Sequence, residues 1–280
     1  MPRFAIKTPP QHARWSDILD IWRAADQIEC FESAWLFDHF YPIAGDPTGP
    51  CLESWVTLTA LSQATSRIRI GSMVNGMHSR HPAITAKMAA TLDTVSNGRL
   101  NLGLGAGWFE PEAKAYGIEL GTVRQRMDRF DEAVEVVVRL LSQETTTFHG
   151  RFFHLDDARC EPKGPQRPHP PIVIGGQGEK RTLRTVARWA QHWDSLRVEP
   201  TAWAEKHEVL LAHCAAVGRD PTEITCSAHI FVPPGADPKA LAAQAADYFR
   251  AGVDLAVFSL RSPYDVSVVE PLAEALSQLQ

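Results

Sequence analysis

Eight short apolar runs alternate with eight amphipathic helical patterns along the 280 residues, and no single motif constrains the fold as much as this alternation. The runs fall at residues 4–7, 33–37, 68–72, 100–104, 172–174, 193–198, 225–232 and 255–260. The helical patterns follow at 16–29, 52–64, 82–95, 124–141, 180–190, 201–217, 238–251 and 264–279. Several carry N-terminal signals, such as Ser16 with Asp17, and Pro82 in a first turn. Eight strand-helix pairs in a chain of this length predict an α/β protein, a (β/α)8 barrel forming one domain over residues 1–280. A doubly wound sheet needs fewer strands, and its dinucleotide signature is missing. After Gly103-x-Gly105 the third glycine of G-x-G-x-x-G would fall at Trp108. Residues 145–170 break the rhythm with a hairpin pattern around His149-Gly150 and then a loop. Such an insertion after the fourth β/α pair is expected to lie over the C-terminal face of the barrel.

Composition excludes several partners. With 44% hydrophobic and 22% charged residues and a net charge of -5, the chain reads as an ordinary globular protein. Nothing in that balance suggests nucleic acid or an anionic membrane as partner. Five widely spaced cysteines form no Cys-x-x-Cys, which favours free thiols in a reducing compartment over disulfides or a zinc site. The first seven residues lack the apolar stretch of a signal peptide, and no run reaches membrane-spanning length, so a cytoplasmic location is expected.

In a barrel the strand C-terminal ends build the site. These are residues 8–11, Asp38-His39, Met73 to Gly76 with Asn75 between them, residues 105–110 and 175–178, Arg197 and Arg261. His39 is a candidate for proton exchange near neutral pH, with Asp38 beside it; a simple strand-capping turn is the competing reading. Two glycine-rich exits, Gly103-Leu104-Gly105-Ala106-Gly107 and Gly175-Gly176-Gln177-Gly178, let backbone approach a flat or anionic ligand, or else serve tight turns. The second exit precedes a helix expected to start near Glu179, a combination that binds phosphate. Arg80 reads as an anion contact or a solvated loop residue. His78-x-x-His81 lacks a third ligand for a metal, so no metal is expected, and there is no G-x-S-x-G elbow for a hydrolase.

These residues resemble the luciferase-like monooxygenase superfamily, in particular its branch that uses the deazaflavin coenzyme F420. The resemblance rests on Asp38-His39-Phe40 with Pro42, Arg80-His81-Pro82 through Lys87, Ser96-Asn97-Gly98-Arg99 with Gly103 to Trp108, and Glu161-Pro162-Lys163 through Gly178. It implies a deazaflavin or flavin ring across the barrel mouth, with Asp38, His39, Met73, Val74, Asn75, Arg80, Gly107 and Trp108 around it. A cis peptide is implied between Met73 and Val74, and Gly175, Gly176, Gln177, Gly178 and Glu179 are implied to hold the coenzyme phosphate. His39 corresponds to the proton-handling residue. In members that oxidise sugar phosphates a Trp and a Glu occupy the positions held here by Ile43 and Trp108, so that substrate is not expected; Glu110, or else Glu112, is left as the acid.

The resemblance therefore implies an F420-dependent oxidoreductase acting on a small organic substrate, working as a homodimer with a separate coenzyme-reducing enzyme. An FMN-dependent two-component monooxygenase is the alternative. A barrel aldolase or isomerase would want a strand-borne lysine or paired carboxylates, and only Lys7 lies on an expected strand. A flavin-binding homologue without activity would not need Asp38-His39.

Overall fold

A computed structural model describes residues 2–196 and 198–279; Arg197, expected at the site, lies outside the described residues. The strands are β1 (Arg3–Lys7), β2 (Phe31–Leu36), β3 (Arg69–Ser72), β4 (Leu100–Gly105), β5 (Ile172–Gly175), β6 (His192–Ser195), β7 (Thr225–Val232) and β8 (Leu255–Leu260). Each pairs in parallel with the next, and β8 pairs with β1, so the sheet closes into a barrel. The helices that return the chain are α1 (Trp15–Gln27), α2 (Ser54–Ala64), α3 (Pro82–Val95), α4 (Val123–Ser142), α5 (Thr182–Trp189), α6 (Pro200–Val217), α7 (Pro238–Arg250) and α8 (Val269–Ser277). Local chemistry fixes their starts. Thr122 and Gln125 form a capping box on α4, and the Glu53 carboxylate caps α2 through the Val56 N–H at 2.7 Å.

Strand alternation sorts side chains between two cores. Leu100, Leu102 and Leu104 point outward into the large apolar layer between strands and helices, together with Ile172 and Ile174. Inside the barrel a smaller cluster of Ala5, Trp35, Met73, Val173, Leu255 and Val257 forms a plug. The Trp35 indole lies across β3 because Gly71 has no side chain there. A Cβ on Gly71 would run into that indole and stand 2.6 Å from the Asn101 carbonyl oxygen. Gly71→Ala is therefore expected to cost about 1–3 kcal/mol, the usual range for overpacking a filled core. An unchanged midpoint in urea would show that the plug can move aside.

The insertion does not cover the barrel mouth. Its strands, Thr146–His149 and His154–Ala158, pair antiparallel as the hairpin pattern predicts, but the segment lies along the flank. Helix α4 has already carried the chain back toward the strand N-terminal ends. The Glu132 carboxylate on α4 then accepts the Arg151 and Phe152 N–H groups, each at 2.9 Å. Asp93 on α3 takes the Gln166 side-chain amide at 2.7 Å, and Phe153 packs edge-on against His81, with centroids 5.2 Å apart. These anchors hold the insertion on α3 and α4. A second difference is an unexpected short helix, Glu110–Ala115, directly after β4.

Candidate active site

The strand ends surround a pocket of ≈ 290 Å³ lined by Lys7, Phe37, Asp38, His39, Met73, Val74, Gly105, Gly107, Trp108, Gly175, Gly176 and Asp194, among others. His39 follows β2 and sits in an aromatic box. Phe37, Trp108 and Phe109 meet its ring edge-on at centroid distances of 5.1, 5.7 and 5.7 Å. Its Nδ1 lies 3.3 Å from Glu112 Oε1, and Nε2 has no protein partner among the described residues. One nitrogen is thus anchored and the other left for chemistry.

The carboxylate beside His39 belongs to Glu112, not Glu110. Glu110 begins the short helix and points to solvent, whereas Glu112 is buried and also accepts the Phe40 and Tyr41 N–H groups at 2.5 and 3.1 Å. Burial pushes the Glu112 carboxyl up, but the His39 ring and the two backbone donors outweigh it and hold the group below the usual carboxylate range. The sequence could not choose between the two glutamates without the helical register, in which positions two apart face differently.

Asp38 is buried and clamped by Arg80, with Nη1 to Oδ2 at 2.5 Å and Nη2 to Oδ1 at 3.1 Å. Arg80 also reaches Glu53 at 2.7 Å and stacks on Phe40 at 5.5 Å. Its donors are committed inside the protein, so the expected anion contact is replaced by a buried ion-pair network that fixes the 38–40 turn. Asn75 is likewise internal, tying the end of β3 to the Gly103 carbonyl at 2.7 Å.

The Met73–Val74 peptide is cis, as expected. The glycines of both exits make room for this bulge. A Cβ on Gly103, Gly105 or Gly175 would meet Val74, and one on Gly107 would strike the His78 ring. His78 had not been placed at the site. Both its ring nitrogens are buried without a partner among the described residues, burial holds its pKa down, and the ring lines the pocket wall.

The second exit is only partly available to an anion. Gly176 N–H is already bonded to the Asp194 carbonyl at 3.0 Å, and Gly176 has φ +126, a conformation that strains any other residue. Helix α5 starts at Thr182, three residues later than expected, after a turn. The N–H groups of Gln177 to Lys180 have no acceptor among the described residues and form the open cradle. The Glu179 side chain points away, pairing with Lys206 at 3.0 Å, and the Gln177 side chain is held by the Leu196 carbonyl.

Two charged residues at the floor lie outside the strand-end positions expected to build the site. Lys7 closes β1 on the same face as Ala5, buried, with Nζ donating to the Met73 carbonyl at 2.8 Å; burial lowers its pKa to about 8 against the pull of Asp194. Asp194 on β6 accepts from His229 Nε2 at 2.8 Å and Ser227 Oγ at 2.9 Å. Burial alone would raise the Asp194 carboxyl, but His229, Lys7 and His192 keep it well below its usual range. The signal for both was the strand alternation, which turns Lys7 and Asp194 inward once the barrel closes.

The residues therefore suit a flat ring with an anionic arm: walls formed by Val74 and glycine backbone, a histidine with one free nitrogen, and unpartnered backbone N–H groups at the edge. Among the described residues no helix is long and apolar enough to cross a membrane. In sequence the chain is 33% identical over 229 residues to an F420-dependent hydroxymycolic acid dehydrogenase of Mycobacterium tuberculosis, covering 81% of this chain and 61% of that protein. It is also 33% identical over 143 residues to the pyrimidine monooxygenase RutA of Allorhizobium ampelinum, covering 50% of this chain and 38% of that one. The chain spans about half the length of the curated relatives it matches. Its fold superposes on an F420-dependent secondary alcohol dehydrogenase solved with an F420-acetone adduct, with a TM-score of 0.89 over 100% of both chains and 20% identity. The family model for luciferase-like monooxygenases matches residues 2–278, and the chain belongs to that family.

Proposed function

We propose that the protein is an F420-dependent oxidoreductase in which His39 gives or takes the proton that accompanies hydride transfer to or from a small organic substrate. The observation that carries this reading is the His39 ring, anchored through Nδ1 to Glu112 with Nε2 open to the pocket. When bound, the deazaflavin supplies hydride chemistry at ring position 5. The protein's own groups do the rest. Val74 and the backbone at Gly105, Gly107 and Gly175 bound the space for the ring, the Gln177–Lys180 amides face its anionic arm, and Glu112 holds the proton-transfer imidazole in place. The dehydrogenase relative supports this choice of coenzyme. A homodimer fed by a separate coenzyme-reducing enzyme, in a cytoplasmic setting, completes the proposal.

The second reading, an FMN-dependent monooxygenase, is supported by RutA and by an FMNH2-dependent dimethylsulfone monooxygenase of Pseudomonas putida that is 33% identical over 142 residues. Carbon at ring position 5 makes a reduced deazaflavin inert to oxygen, which separates the two. Titration of tryptophan fluorescence is expected to give tighter binding of F420 than of FMN, and the reduced F420 complex is expected to persist in air. Tight FMN binding with no response to F420 would overturn the choice of coenzyme.

A further inference from the structure

We propose that a second chamber, opening beside His39, is the substrate compartment and that it selects an organic carboxylate through Lys7 and Ser259. The inference rests on the preceding reading and assigns a substrate class to the same site. The chamber, ≈ 280 Å³, shares Lys7, Phe37, Ile43 and Leu196 with the pocket that holds His39. Among the described residues no aspartate or glutamate lines it.

Its polar groups are donors in excess. Lys7 and Ser259 are register partners on β1 and β8, both buried and both facing the chamber. An ammonium has three donors, and Lys7 uses one, on the Met73 carbonyl. No carboxylate lies within salt-bridge distance of Lys7 among the described residues; Asp194, whose Oδ1 accepts from His229 and Ser227, acts on the ammonium through its charge without a direct contact. Ser259 Oγ has no partner among the described residues. Gln11 accepts the Ile43 N–H through Oε1 at 2.8 Å, which leaves its Nε2 donors unspent. At the rim the Arg261 guanidinium lies 5.1 Å over the Phe231 ring.

The nearby acceptors are already occupied. Tyr264 OH donates to the Pro9 carbonyl at 2.5 Å, and the His12 ring binds the Ala44 carbonyl at 2.9 Å. A buried ammonium left two acceptors short, beside an unpartnered hydroxyl and an open cavity, is satisfied by an oxyanion with two oxygens. The apolar walls at Phe37, Ile43 and Leu260 suit a compact hydrocarbon body behind that carboxylate. A substrate seated this way would lie against Phe37, Ile43 and Leu196, the wall shared with the pocket that holds His39.

The test compares hexanoate with hexan-1-ol, and benzoate with benzyl alcohol, by calorimetry on the intact protein. Each acid is expected to bind about 10- to 100-fold more tightly than its alcohol. Lys7→Met and Ser259→Ala should each bring the ratio close to one. Ser259 lines the chamber alone, so Ser259→Ala should leave F420 affinity within about twofold of the parent. Should Lys7→Met fail to fold, Ser259→Ala and Gln11→Ala carry the comparison. Equal binding of acid and alcohol by the parent, or a ratio that survives these substitutions, overturns the proposal. Loss of F420 affinity in Ser259→Ala with acid selectivity intact also overturns it, assigning these donors to the coenzyme. If F420 does not bind at all while acid selectivity persists and depends on Lys7 and Ser259, the chamber assignment stands and the coenzyme assignment falls.

Discussion

His39→Ala is expected to lower turnover about 100- to 10,000-fold while changing coenzyme affinity little, the range associated with losing a positioned general acid or base. The structure makes this a clean substitution. Glu112 keeps its bonds to the Phe40 and Tyr41 N–H groups when the imidazole is gone, so the 38–41 turn retains its anchor. Phe37, Trp108 and Phe109 lose an edge contact each but not their own packing. His39→Gln adds a control, because it can keep a hydrogen bond to Glu112 without exchanging a proton near neutral pH. Glu112→Gln tests positioning separately: it should slow turnover less than His39→Ala and should do so without removing the imidazole. Steady-state rates with saturating coenzyme decide the matter, and near-parental turnover in His39→Ala would move proton transfer to another group or to solvent.

The barrel was legible in the sequence because its signal is repeated eight times. Each strand is marked by its own short apolar run and several helices by their own starts, so small boundary errors do not change the topology. The site was legible where chemistry is local. Asp38-His39 stands at the end of a strand, and the strand's direction alone carries it to the mouth. What escaped depends on partners far apart in the chain. Arg80 looked like a free cation because Asp38 and Glu53, which occupy it, lie 42 and 27 residues away. Glu110 looked equivalent to Glu112 until the short helix turned one outward and the other inward. The glycines at 103, 105 and 175 were read as openings for a ligand, yet the protein's own Val74 takes that room. Lys7 was seen on its strand and set aside, because a lysine's usual place is solvent and only closure of the barrel buries it.

Arg80→Met is expected to be the most destabilising of these substitutions, by about 3–5 kcal/mol, because it leaves the Asp38 carboxylate buried without its cation. The Asp38 side chain is 1% exposed, and both its oxygens are held by Arg80. Burial pushes the Asp38 carboxyl up, and Arg80 is the main group pulling it back. Without the guanidinium the folded-state pKa rises further above the unfolded value. A carboxyl shifted in that direction contributes its full stability below the unfolded pKa and loses it as pH rises through the folded one. The deficit of Arg80→Met against the parent should therefore be smallest in acid and grow toward neutral pH, whereas a deficit caused by lost packing on Phe40 would not vary with pH. Each kcal/mol should move the melting midpoint by about 2–4 °C in a protein of this size class. Asp38→Asn combined with Arg80→Met should recover much of the loss, since the buried charge is then gone as well. A deficit that does not vary with pH, and that the added Asp38→Asn fails to relieve, would show that Arg80 acts through packing and its Glu53 contact instead of through Asp38.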